Sequence, residues 1–402
     1  MTQRDVGIRK RLQWLGFGAA VIVVIGVLAF AGQATRFEGD LSDDTVITTL
    51  GSTATPYPAE LRSAAERARQ SPDDRAVALD AARRYLEYGR LIGDARLVGA
   101  ALGILTPWIE KAPDAEILNL AASCRQYVHD FAGAVALLDT VITADPRNAQ
   151  ALLSRANIRV VQGQFKVAEE DCKALARARR PDLAILCDTT VTALTAEAPA
   201  SFDRLDRLVS SRAIDPALSG YADSLLAEIA RFTEQRDVAR QKFEAALAAS
   251  PDDLRTLMIL VDFDLDEGRY KEALARLDKA PLTDGIMVRQ VAGYIGLGDA
   301  AAAERIGAVL RGRLAEAASV GETAHAREAA RYWLLAKDPA QALSLARANW
   351  TSQREVEDAL LLMEAAKAAN NPAAADPVLE WAAAEGVTAP MYLSARRKFM
   401  DQ

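Results

Sequence analysis

The sequence predicts an all-α chain, an N-terminal transmembrane helix followed by an α-solenoid of about nine helix pairs. Three observations carry this. Residues 12–35 hold no charge. From residue 59 onward, amphipathic segments of helical period alternate with short turns, and no strand-like alternation of useful length interrupts them. Blocks 34 residues apart repeat one arrangement of large and small side chains. With 402 residues, half of them hydrophobic and 26% charged, the chain is suited to a large globular or repeat protein and not to a disordered one. Arginine outnumbers lysine 38 to 10 and alanine is abundant, which reads as a bacterial coding bias.

Residues 1–11 form a basic tail: Arg4, Arg9, Lys10 and Arg11 stand against Asp5 alone. The densest apolar run, Leu12 to Ala31, is long enough as a helix to span about 30 Å, the thickness of a bilayer core. Acidic residues follow it at Glu38, Asp40, Asp43 and Asp44. The positive-inside bias therefore keeps residues 1–11 in the cytoplasm and exports the rest of the chain. Ala29-Phe30-Ala31 offers the small-x-small pattern of a cleavable signal peptide, but the apolar run exceeds the usual h-region of about 7 to 15 residues, which favours an uncleaved anchor. Residues 36–58 are rich in Thr, Ser, Gly and Asp, end in two prolines, and predict a flexible linker.

The region 59–402 is predicted to be one helical-repeat domain, with its clearest period in 114–281. Phe131 and Phe165 are 34 apart, as are Ala134 and Ala168, Leu138 and Cys172, and Val141 and Leu175. Ala239 and Ala273, Phe243 and Leu277, and Ala246 and Ala280 repeat the spacing. Each block joins two amphipathic helices through a short turn, often holding Gly (Gly163, Gly268), and Pro146 and Pro251 close two of them. This pattern resembles the tetratricopeptide repeat family, of the single-pass, membrane-anchored periplasmic type. Ala122, Phe131, Ala134, Leu138, Val141 and Pro146 match its small, aromatic, apolar and proline positions in one repeat. Ala156, Gly163, Phe165, Ala168, Cys172 and Leu175 match them in the next. Arg125 and Arg159 depart from it where an aromatic is usual. The resemblance implies a right-handed superhelix, in which small residues let paired helices approach and larger ones fill the layer to the next pair.

Weaker pairs of the same style are predicted at 72–89 with 94–113, at 284–297 with 299–317, at 325–350, and at 354–369 with 372–385. Single helices are predicted near 59–70 and 390–400. The block from Arg75 to Pro113 is about five residues long for the period, and the block around Pro199 runs two or three over.

No catalytic, cofactor or metal site is expected. The chain lacks a P-loop, a GxSxG elbow and an HExxH pair. The glycines of 293–298 sit where a repeat needs its turn. His129 falls at an inter-helix turn, and His325 stands at a helix start beside Glu322. Cys172 and Cys187 lie on adjacent helices, where a disulfide is geometrically possible; three buried free thiols, with Cys124, are the alternative. The net charge is −7, and removing the first 36 residues takes away five bases and one acid, leaving −11. No nucleic-acid partner is expected from such a chain.

The first helix of each pair is expected to line a concave groove. Carrying the family's groove positions over gives Asn119, Ser123 and Gln126 in one repeat, Gln150, Ser154 and Asn157 in the next, and Arg255, Met258 and Asp262 in a third. Amides and hydroxyls beside aliphatics suit an extended or helical peptide. Leu153 and Met258 stand where the family's carboxylate clamp has bases, so that particular use is not expected. The resemblance thus implies a non-enzymatic scaffold or adaptor in the bacterial inner membrane, its repeat domain periplasmic. It would bind protein partners in the cell envelope and assist assembly or maintenance of an envelope complex. A permanent structural subunit of a membrane complex is the alternative, with an enzyme of unrecognised site as the other class.

Overall fold

The computed structural model describes residues 57–319 and 326–401. The predicted tail 1–11, the transmembrane helix 12–35, nearly all of the linker 36–58, and His325 lie outside the described residues. Among the described residues no helix is long and apolar enough to cross a membrane.

Twenty α-helices and no strand occur among the described residues. A single helix, α1 (Ala59–Gln70), leads into nine pairs. These are α2 (Arg75–Ile92) with α3 (Ala95–Lys111), α4 (Ala115–Tyr127) with α5 (Phe131–Ala144), and α6 (Ala149–Val161) with α7 (Phe165–Arg177). Then follow α8 (Pro181–Thr192) with α9 (Ala198–Ser210), α10 (Ser219–Phe232) with α11 (Arg236–Ala249), and α12 (Leu254–Asp266) with α13 (Tyr270–Leu277). The last are α14 (Asp284–Gly296) with α15 (Ala300–Ser319), α16 (Ala326–Leu335) with α17 (Pro339–Trp350), and α18 (Val356–Ala368) with α19 (Asp376–Glu385). A final helix, α20 (Pro390–Met400), ends the chain's described part. The expected pair count and both single helices are found. The two irregular blocks have simple causes: α2 and α3 run 18 and 17 residues instead of 13 or 14, and a 3-10 turn, Pro216–Leu218, precedes α10.

Local chemistry sets the helix ends. Asp74, Asp114, Asn148 and Asp253 accept hydrogen bonds from the backbone N–H groups that open α2, α4, α6 and α12. Most pairs turn through one residue in the left-handed region, and His129, Gly163, Glu234 and Gly268 hold φ between 60° and 72° there. His129 is thus the turn residue its position suggested. The small positions pack as the repeat pattern requires: Ala134, Ala168, Ala239 and Ala273 are fully buried.

The stack does not stay open. One apolar core runs from Leu152 on α6 through Phe232 on α10 to Trp381 and Phe399 on α19 and α20. The Trp381 indole N–H donates to the Gly163 carbonyl at 2.9 Å, and the Arg354 N–H donates to the Val161 carbonyl at 2.7 Å. The N–H groups of Thr388 and Ala389 both donate to the Leu194 carbonyl, at 2.8 and 3.0 Å. The C-terminal pairs therefore fold back on α6 to α10. Gly163 has no alternative here: its φ is 70°, and a Cβ would stand 2.4 Å from the Trp381 indole nitrogen. Cys172 and Cys187 are disulfide-bonded across α7 and α8, with Cα atoms 5.3 Å apart, which settles the open pairing. Cys124 is a buried free thiol, pushed up to about 11 by that burial.

Candidate functional site

The first helices of successive pairs carry a polar inner lining. The sequence-predicted residues fall on it unequally. Gln150 is exposed, and Ser123, Gln126, Ser154 and Asn157 are half-buried. Asn119 is the correction: it is only 5% exposed, and its Oδ1 is buried without a hydrogen-bond partner, so it packs inside instead of facing the groove. Position along a helix gives direction but not depth. The Asn157 Oδ1 is likewise buried without a hydrogen-bond partner, and on α10 the Tyr221 hydroxyl lies 3.4 Å from Thr190 Oγ1 on α8. Burial pushes the Tyr221 phenol up from its ordinary value.

Beyond Tyr221 the lining becomes charged. Arg255 on α12 grips Glu228 on α10 through two bonds of 2.7 and 3.0 Å, a fork geometry that a lysine does not provide. That carboxylate is the main reason the Arg255 guanidinium holds its proton more firmly than usual. Arg255 keeps 54% of its side chain exposed, so a partner reaches it without breaking the core. Two turns further along α12, Asp262 accepts from Arg289 on α14 and Arg331 on α16, each at 2.6 Å. Burial pushes the Asp262 carboxyl up, but the two arginines outweigh it and hold the group well below the usual carboxylate range. Arg289 also donates to the Met258 and Gly285 carbonyls, which fixes its plane.

Two further links cross the stack. Arg231 on α10 bonds Glu357 on α18 at 2.7 Å, and Arg327 on α16 bonds both oxygens of Asp358 at 2.6 and 2.7 Å. Burial raises the Asp358 carboxyl despite that arginine. Gln353, which accepts from Arg327 at 2.9 Å, places its amide nitrogen 2.8 Å from His129 Nδ1. Tyr221, Glu228, Arg289, Arg331 and Glu357 escaped the sequence reading. The signal that finds them is the family's set of groove positions carried into α10, α14, α16 and α18. Among the described residues no group of three His, Cys, Asp or Glu side chains is placed to hold a metal.

Stacked antiparallel helix pairs with a polar inner face define an α-solenoid. Within it, residues 234–285 match the family described as tetratricopeptide repeat, and the pairs on either side repeat that architecture. No curated protein matches the sequence. Among solved structures, the chain is similar to the Cut9–Hcn1 hetero-tetramer of the APC/C at 14% identity, over 85% of this chain and 71% of that one, with a TM-score of 0.41. It is similar to a human IFIT1 dimer with m7Gppp-AAAA at 13% identity, over 81% and 85%, with a TM-score of 0.47. It is also similar to yeast Tom70 at 11% identity, over 80% and 95%, with a TM-score of 0.24.

Proposed function

We propose that this protein is a membrane-anchored, extracytoplasmic scaffold of a bacterial cell envelope. Its repeat domain is periplasmic, and it binds protein partners along the inner face to assist assembly or maintenance of an envelope complex. The observation that supports the reading is the polar set on the first helices, in which Arg255 keeps 54% of its side chain exposed, Gln150 is exposed and Ser123, Gln126 and Ser154 are half-buried on a rigid helical stack. Such groups hold a peptide backbone or an acidic side chain while neighbouring aliphatics take apolar ones. The charge-free run 12–35 behind a basic tail supports the anchor. The Cys172–Cys187 disulfide supports an oxidising compartment.

Two experiments test it. An alkaline phosphatase fusion after residue 60 is expected to be active and a cytoplasmic reporter there silent; the reverse pattern removes the exported reading. Ser154→Ala with Asn157→Ala is expected to weaken partner capture from solubilised membranes by about threefold to a hundredfold, since a lost hydrogen bond costs about 0.5 to 1.5 kcal/mol. The control pair Lys271→Ala with Glu272→Ala, on the exposed face of α13, is expected to change little. Equal capture by both double variants removes the inner strip from partner binding.

A further inference from the structure

A second surface lies on the opposite side of the stack. Between α5, α6 and α7 is a cleft of about 640 Å³. Its floor is apolar, made by Ile142, Leu152, Val167 and Ala174, and Val167 leaves 47% of itself exposed. Its walls carry four arginines against one exposed lining acid, Glu170, which is paired with Lys173 at 3.0 Å. Arg155 and Arg159 both bind Asp171, a side chain only 2% exposed, at 2.6 and 2.7 Å, so one buried carboxylate holds two guanidiniums in fixed orientation. Arg155 also meets Asp139, a half-exposed carboxylate, which shows how an acid arriving from solvent is received there. At the rim, Arg147 and Arg177 are exposed, and among the described residues neither has a carboxylate at salt-bridge distance.

We propose that this cleft is a docking site for a short acidic peptide segment carrying an apolar side chain, with its carboxylates on Arg147 and Arg177 and the apolar group on the Val167 floor. Charge complementarity selects this occupant. Two unpaired arginines ask for acid, and the exposed valine asks for apolar cover. A polyanion or an anionic bilayer is disfavoured, because the chain after residue 36 is strongly acidic overall and a small cationic cleft does not offset that repulsion over a large surface. The proposal concerns the outer face and does not depend on partner capture by the inner strip.

The test uses the purified full chain in detergent and a fluorescent peptide of alternating Asp and Leu, read by anisotropy. A Lys/Leu peptide and phosphatidylglycerol vesicles are the other probes. The Asp/Leu peptide is expected to bind, the Lys/Leu peptide to bind at least about tenfold more weakly, and binding to fall as salt rises from about 0.05 to 0.3 M. Arg147→Glu with Arg177→Glu is expected to weaken Asp/Leu binding at least about tenfold with an unchanged thermal midpoint, since both side chains are exposed. Should the charge reversal disturb the fold, Arg147→Gln with Arg177→Gln is expected to give a smaller loss in the same direction. Equal affinity for the two peptides, affinity unaltered in both variants, or binding to the vesicles alone would overturn the proposal.

Discussion

The pairs α2 to α5 and the pairs α16 to α19 are built from the same parts yet held in different ways. In the first region the core is local. Leu79, Leu86, Val98, Leu105, Ile117 and Cys124 pack together, and Leu118 to Ile158 form the next cluster along the chain. Each pair there leans chiefly on its neighbours, as expected of a one-dimensional stack. In the second region Ala330, Trp350, Leu362, Val378 and Tyr392 share a core with Leu152, Phe165 and Ile229, between 101 and 240 residues away in sequence. A solenoid that closes on itself gains cooperativity its neighbour-only stretches lack. A defect at the closure therefore loosens two regions at once, whereas a defect in α2 to α5 stays local.

The largest expected effect tests this directly. Trp381 is buried between Phe165 and Trp350, at 5.8 and 5.4 Å between ring centres, and Trp381→Ala is expected to cost about 3 to 5 kcal/mol. Trp108→Ala, at a half-buried tryptophan in the first region, is expected to cost about 1 to 2 kcal/mol. Chemical denaturation of both variants checks it; equal losses would break the comparison.

Reducing the Cys172–Cys187 bond comes next. It closes a 15-residue separation and contributes about 3 kcal/mol in the chain-entropy model. Because Cys172 and Cys187 share the closing core, dithiothreitol is expected to lower the main thermal transition, not a separate early one, by calorimetry. Ala168→Leu overpacks a fully buried contact between α6 and α7 and is expected to cost about 1 to 3 kcal/mol. An unchanged midpoint would mean that the small position is not where the repeat register puts it.

The smallest effect concerns pH and two acids one helical turn apart on α12. Asp262 is held low by its arginines, so its contribution is present above the ordinary carboxylate range and is lost only as pH falls through its depressed value. Asp266 keeps 65% of its side chain exposed, and partial desolvation of its carboxyl raises it, so its ionised form opposes folding only slightly at neutral pH and the opposition fades as pH falls through that raised value. Asp266→Asn is therefore expected to raise the thermal midpoint slightly at pH 7, with the gain shrinking toward pH 4. A lower midpoint at pH 7 would show that the Arg231 contact, at 3.9 Å, outweighs that partial desolvation.

Much of this architecture is legible in the sequence, and the reason is locality. Helical period, Asp and Asn caps and left-handed turn residues act over a few positions. They place the helices whose bounds the sequence gives to within a few residues, including the pairs at 284–317 and 354–385, whereas 181–210 and 325–350 are legible only as blocks. For the candidate groove residues, the helix that carries each one is legible in the sequence. Depth is not, and Asn119 shows it: the same helical position is buried in one pair and half-open in the next.

Spacing alone placed Cys172 and Cys187 on adjoining helices, and the packing angle between α7 and α8 decided that they meet. The arginines where an aromatic is usual follow the same division. Arg159 marks a departure in the sequence, and only the fold supplies Asp171 as its reason. Sequence by itself determined the helices, their pairing and the small-residue contacts, since each depends on residues a few to 34 apart. Tertiary structure alone decided that α18 to α20 close on α6 to α10. That closure depends on small rotations accumulated over successive pairs, which no local pattern records, and Gly163 beneath Trp381 is where the accumulated angle becomes a contact.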